Sequence, residues 1–115
     1  MNIKAFITRL NVIRSENSAL HRARNLRFQH ADNDLVLAWS KSDGENHLLI
    51  VVNLDAWHAQ DATVHVPLEE FGLREGQPFE IEDLLSGERY AWTGRANFVR
   101  LVPGTTPGHV LRLVS

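Results

Sequence analysis

The sequence predicts a mainly β fold: an antiparallel Greek-key β-sandwich of about eight strands with one N-terminal amphipathic α-helix. Three observations carry it. Ile3, Phe6, Ile7, Leu10, Ile13 and Leu20 recur at helical spacing, with Lys4, Arg9, Arg14 and Glu16 on the other side. After Arg24 the pattern changes to short apolar runs broken by the turn-forming stretches DND (32–34), SDGEN (42–46), SGE (86–88) and PGTTPG (103–108). Between them lies LLIVV (48–52), rich in β-branched residues and far shorter than the roughly 20 apolar residues that cross a bilayer, which reads as a strand buried on both faces.

Taken in order, residues 1–24 form the helical unit and 25–115 the sandwich. The helix has no Ser, Thr, Asp or Pro before Ile3, only Asn2 after Met1, so it reads as a helix cut from a longer chain. Strands are expected near 25–31, 35–41, 47–54, 62–66, 78–83, 89–93, 97–102 and 109–114. Leu26 and Phe28 alternate with Arg27 and Gln29, and Val64 and Val66 flank His65. These two strands should therefore be half-exposed, and the strand holding LLIVV should be central.

A chain of 115 residues suits one core. Its 12 basic and 14 acidic residues leave no electrostatic footprint for nucleic acid or an anionic membrane, so neither is an expected partner. The absence of cysteine removes disulfides, thiolate nucleophiles and sulfur-ligated metals, and it suits a reducing, cytoplasmic setting. MNIKAFITRL has neither an uninterrupted apolar core nor a small-residue cleavage site, and reads as neither signal peptide nor anchor.

No catalytic residue, metal site or other cofactor is expected. The six histidines form no H-E-x-x-H and no i, i+4 helical pair. His65 belongs on an exposed strand face, and His21, His30, His47, His58 and His109 at element ends, as solvated surface groups. DNDL opens like a calcium loop, but Leu37 stands where that loop requires Gly. Asp32, Asn33 and Asp34 suit a hairpin turn instead. Glu69, Glu70, Glu80, Glu82, Asp83 and Glu88 are the carboxylates that an acid/base pair would need. Glu80 and Glu82 share a strand face, yet the sequence reveals no apolar pocket to raise either pKa. Trp39 and Trp92 suit core or inter-sheet packing. Trp57 follows NLD in the loop leaving the central strand, where a carbohydrate platform and a packing plug are both open readings.

The segments ITRLNVIRSENSAL, NLRFQHADND, LLIVVNLDAWHAQ and EIEDLLSGERYAWTG, followed by ANFVRLVPG and PGHVLRL, together resemble the C-terminal end of α-amylase-family enzymes. Within that family they are most similar to bacterial maltosyltransferases that use maltose 1-phosphate to extend α-1,4-glucans. Ser18 departs from the pattern, since a Pro often follows EN there. The resemblance implies that residues 7–20 are the last helix of a catalytic (β/α)8 barrel and that the sandwich is a non-catalytic domain stabilising it. It also implies that the catalytic carboxylates lie on barrel strands upstream, so none maps onto this chain. A glucan-binding module acting through Trp57, and a stand-alone homo-oligomeric protein, such as a homodimer, joined through Ile3, Phe6, Ile7, Leu10, Ile13 and Leu20, are the alternatives.

Overall fold

The computed structural model describes residues 3–21, 25–105 and 108–114, with the side chains of residues 3–7 and 10 outside that description. Helix α1 (Ile3–Glu16) and a 3-10 turn (Ser18–His21) precede eight strands: β1 (Leu26–Gln29), β2 (Val36–Asp43), β3 (Asn46–Asn53), β4 (Gln60–His65), β5 (Pro78–Asp83), β6 (Arg89–Thr93), β7 (Ala96–Leu101) and β8 (Gly108–Leu113). Six strands form one antiparallel sheet in the order β1-β2-β3-β8-β5-β6, and β4 pairs with β7 in a second. The two sheets make the predicted antiparallel sandwich, and the insertion of β8 between β3 and β5 is consistent with Greek-key connectivity.

The central strand is β3, as the LLIVV run requires: Leu48, Leu49, Ile50 and Val51 are all buried. Its side chains alternate between two cores. Leu49 and Val51 join Phe79, Ile81 and Leu111 against Ala62, Val64, Val99 and Leu101 of the two-stranded sheet. Leu48 and Ile50 point the other way and meet Val110, Ile13 of α1 and Ala19 of the 3-10 turn. Thus one face is closed by the second sheet and part of the other by the helical segment of the same chain. Val64 and Val66 are buried on either side of a half-buried His65, as their alternation predicts.

The helix stops earlier than its apolar pattern. Buried Asn17 donates its Nδ2–H to the Ile13 carbonyl at 2.8 Å and so takes an acceptor that another helical turn would use. Asn46 then clasps the segment to β3: its Nδ2–H donates to Asn17 Oδ1 at 3.0 Å, and its Oδ1 accepts from the Ala19 N–H at 2.9 Å. The 3-10 turn carries Leu20 to the same outer core as Ile13. Of the six stripe residues, Ile3, Phe6, Ile7 and Leu10 lie outside the described side chains.

β1 departs from its half-exposed expectation. Register puts Phe28 opposite Trp39 and Leu26 opposite Lys41, so the apolar side of β1 shares the outer face with α1. Yet Phe28 is 69% exposed and Leu26 is exposed too, because β1 is the edge strand and α1 covers only the middle of that face. Close packing at the centre shows at Gly108, where a Cβ would stand 2.8 Å from the Val51 carbonyl oxygen. Only glycine lets β8 approach β3 there.

Candidate functional site

Three places in the sandwich hold organised polar or aromatic side chains. The first is the loop after β3. Asn53 Oδ1 accepts from the Asp55 N–H at 2.7 Å, while Asn53 Nδ2–H donates to the His58 carbonyl at 3.0 Å. Asp55 Oδ1 in turn accepts the N–H groups of Trp57 and His58 at 2.9 and 3.2 Å, and its Oδ2 accepts from Gln60 at 2.9 Å. These bonds, led by the Trp57 N–H, hold the Asp55 carboxyl below its ordinary pKa. The NLD signature is therefore a loop-folding device, since Asn and Asp satisfy backbone donors that a tight turn leaves free. It displays Trp57 at its tip, 86% exposed, so within this chain Trp57 plugs nothing.

The second place is the DLLSGE turn between β5 and β6. Asp83 is only 1% exposed, and it accepts from the Leu85 N–H at 3.0 Å and the Ser86 hydroxyl at 3.1 Å. Its Oδ2 lies 2.7 Å from His109 Nδ1. Burial pushes the Asp83 carboxyl up, but the His109 contact and the turn donors outweigh it and hold the pKa below the usual value. Gly87, with φ +80°, closes the turn where a side chain would be strained. From α1, Arg9 Nε–H donates to the Leu84 carbonyl at 2.9 Å, tying helix and turn across a cleft of about 320 Å³ lined also by Glu16, Glu82 and Arg112.

His109 corrects the expectation that all six histidines are solvated: it is 8% exposed. Sequence position suggested an element end, but β8 starts at Gly108 and His109 opposes Val51 on the inner face. A buried carboxylate makes that position tenable for imidazole. His47, half-buried, lies with Nδ1 2.7 Å from the Ser42 hydroxyl, which donates to Glu70 Oε2 at 2.8 Å. The order His–Ser–Glu leaves the imidazole without an orienting carboxylate, so this is not the geometry of an activated nucleophile. Glu80 and Glu82 do share the outer face, but they pair with arginines: Glu80 with Arg89 at 2.9 Å, Glu82 with Arg112 at 2.8 Å. Arg112 lowers the Glu82 pKa, the opposite of what a general acid needs. Among the described residues no group of three or more His, Asp or Glu side chains is placed to hold a metal ion. No described helix is long and apolar enough to cross a membrane.

The third place was not singled out as a site in the sequence. Tyr90 and Trp92 of β6, Phe98 and Arg100 of β7 and His109 of β8 line a recess of about 190 Å³ where the edges of the two sheets meet. Trp92 stands at 87° to buried Phe79 with ring centroids 6.3 Å apart, and Tyr90 at 76° to His109 at 6.4 Å. The Tyr90 hydroxyl donates to Glu88 Oε2 at 2.7 Å; burial and that carboxylate push its pKa up to about 12. The alternation of Tyr90 and Trp92 marks an inner-facing edge strand. That β7 faces it follows from tertiary structure alone.

Two antiparallel sheets packed face to face, with a helical segment on the outer face of the larger one, define the class as a β-sandwich domain. Solved enzymes contain the same fold: the structure superimposes on a maltogenic α-amylase from Thermotoga neapolitana with a TM-score of 0.73 at 14% identity, over all of this chain and 26% of that one. It matches an α-amylase from Geobacillus thermoleovorans at 0.70 and 16%, over all of this chain and 25% of that one. The chain belongs to the family described as GLGE, C-terminal, whose model matches residues 28–113. It is 47% identical over 111 residues, 96% of its length, to alpha-1,4-glucan:maltose-1-phosphate maltosyltransferase 2 of Streptomyces coelicolor. It is 45% identical over 114 residues, 97% of its length, to the corresponding enzyme of Rhodospirillum rubrum. The chain spans 16% and 17% of those two relatives, so it matches one domain's worth of each.

Proposed function

We propose that this chain is the non-catalytic C-terminal β domain of an α-1,4-glucan:maltose-1-phosphate maltosyltransferase, cytoplasmic like the sugar phosphate it would use, and that it stabilises a catalytic (β/α)8 barrel. In this reading residues 1–24 are the barrel's last helix and 25–115 the domain proper. The observation that carries it is the outer face of the six-stranded sheet. Ile13 and the 3-10 turn cover its middle, but Leu26, Phe28 and Leu37 on the same face, and Val12 on α1, remain exposed. An apolar face that continues past its own cover is suited to a larger partner, which supports this reading.

The test is made on the parent enzyme. Phe28→Asp with Leu37→Asp should lower its thermal midpoint and its maltosyltransferase activity in parallel, while the same pair should leave the isolated 115-residue chain folded. If the parent is unaffected, the outer face is not the barrel contact.

Homodimerisation through the helix stripe competes for the same surface. Ile13, 3% exposed, is already buried against its own sheet, which favours docking in cis over pairing. Sedimentation of the isolated chain separates the two. For glucan capture through Trp57, the exposed indole on a loop whose backbone Asp55 fixes is the supporting feature, and loss of a maltooligosaccharide-induced fluorescence change in Trp57→Ala is the measurement.

A further inference from the structure

We propose that the recess between β6 and β7 is a binding site for α-glucan, holding a short stretch of a maltooligosaccharide against Tyr90, Trp92 and Phe98. The inference rests on the reading of the chain as part of a glucan-processing enzyme, and it places sugar contact at a different site from Trp57.

Tyr90 and Trp92 sit two residues apart on one strand, so their rings follow one another at about 6.8 Å along the groove. Both are half-buried, and each rests on a buried ring: Trp92 on Phe79, Tyr90 on His109, which Asp83 fixes in turn. Their orientation is therefore set before any ligand arrives, which lowers the entropic cost of binding. Phe98 forms the opposite wall and is 63% exposed, so its ring is open to a ligand.

The rim is polar and carries more acid than base. The Tyr90 hydroxyl is bonded to Glu88 at 2.7 Å, and Arg100 Nη1–H donates to Asp61 Oδ1 at 2.8 Å. An anionic ligand is disfavoured beside these carboxylates. A neutral polyol finds both donors and acceptors at the rim and aromatic faces between them, which is the pairing a pyranose requires, since its C–H face is apolar and its edge carries hydroxyls. The recess, about 190 Å³, is smaller than the roughly 300–1,000 Å³ of a drug-sized pocket and has the scale of one or two sugar rings. It is lined from the inner side of the sheet and from β7, so it stays open when the outer face is occupied.

Trp39, Trp57 and Trp92 give three side-chain indole N–H signals to follow by NMR in the full 115-residue chain during titration with maltoheptaose. The Trp92 signal should shift saturably and the Trp57 signal should not. Phe98→Ala should weaken binding by about threefold to tenfold, the loss of one stacking partner, with the thermal midpoint unchanged because Phe98 packs little. Trp57→Ala should leave the titration as it is. A flat Trp92 signal, a titration insensitive to Phe98→Ala, or equal binding of the β-linked cellohexaose would each overturn the proposal. None of these outcomes bears on barrel docking, which the outer-face variants test on their own.

Discussion

The two faces of the six-stranded sheet are built from the same strands yet finished differently. On the inner face, side chains of β2, β3, β5 and β8 meet the strand pair β4–β7, and Leu49, Val51, Val64, Leu101 and Leu111 are all essentially sealed from water. On the outer face the seal is local: Leu48 and Ile50 are buried beneath Ile13 and Ala19, while Phe28 and Leu37 stay exposed. The inner face is complete within the chain, and the outer face is complete only at its centre. A domain that folds on its own core but docks through a partly finished one can be stable by itself and still depend on a larger assembly for its function.

The sharpest way to break this contrast is to cut into the inner core. Leu49→Ala or Leu101→Ala should each cost about 2–5 kcal/mol in chemical denaturation, a large part of the roughly 5–15 kcal/mol available to a domain. Equal losses from Phe28→Ala would show that the outer face matters as much to the chain alone.

Next comes Asp83, whose removal strands His109 and the DLLSGE turn donors. Asp83→Ala should cost about 2–4 kcal/mol. The pH dependence has a definite sign. Asp83 and Glu82 have folded pKa values below their unfolded ones, so their stabilisation is full above the unfolded pKa, near pH 4, and is lost as pH falls through the folded values. Exposed Glu69, held at about 2 mainly by its hydrogen bond from Arg95, shifts in the same direction. Thermal midpoints taken from pH 6 downward should fall less steeply for Asp83→Asn than for the unaltered chain.

Gly108→Ala sharpens the comparison from the strand that serves both faces, because the added methyl meets the Val51 carbonyl. About 1–3 kcal/mol should be lost, read as a lower thermal midpoint. The smallest effect belongs to the outer rim. Phe28→Ser in the isolated chain should change stability by no more than about 0.5 kcal/mol, as expected for an exposed position.

The strands were legible because apolar runs and turn residues alternate so regularly from Leu26 to Leu113. The double burial of β3 was legible from LLIVV alone. The end of α1 was not, because the stripe runs through to Leu20 while Asn17, bonded to the Ile13 carbonyl and held by Asn46 of β3, ends the helix. The exposure of Phe28 was also hidden: alternation tells which side of a strand is apolar, but not whether anything lies on it. Of the candidate sites, the NLD loop could be placed from sequence, though not the outward direction of Trp57. The aromatic recess was out of reach, since it joins β6 to a β7 that lies across a sheet boundary. His109 was misread because a histidine beside Gly gives no sign of the Asp83 waiting on another strand.

The position of β8 also has a temporal meaning. It is the last of the eight strands to be synthesised, yet it lies in the middle of the larger sheet, with Ile50 pairing to Val110 on one side and Glu82 to Arg112 on the other. Until it leaves the ribosome, β1-β2-β3 and β5-β6 are two separate pieces, each with an unpaired edge and half a core in water. Nascent chains must therefore pass through a stage in which most of the apolar sequence is made and the larger sheet cannot yet be joined, and pairings this distant along the chain are slow to form. Chaperone engagement should peak in that window and fall once Leu113 has emerged.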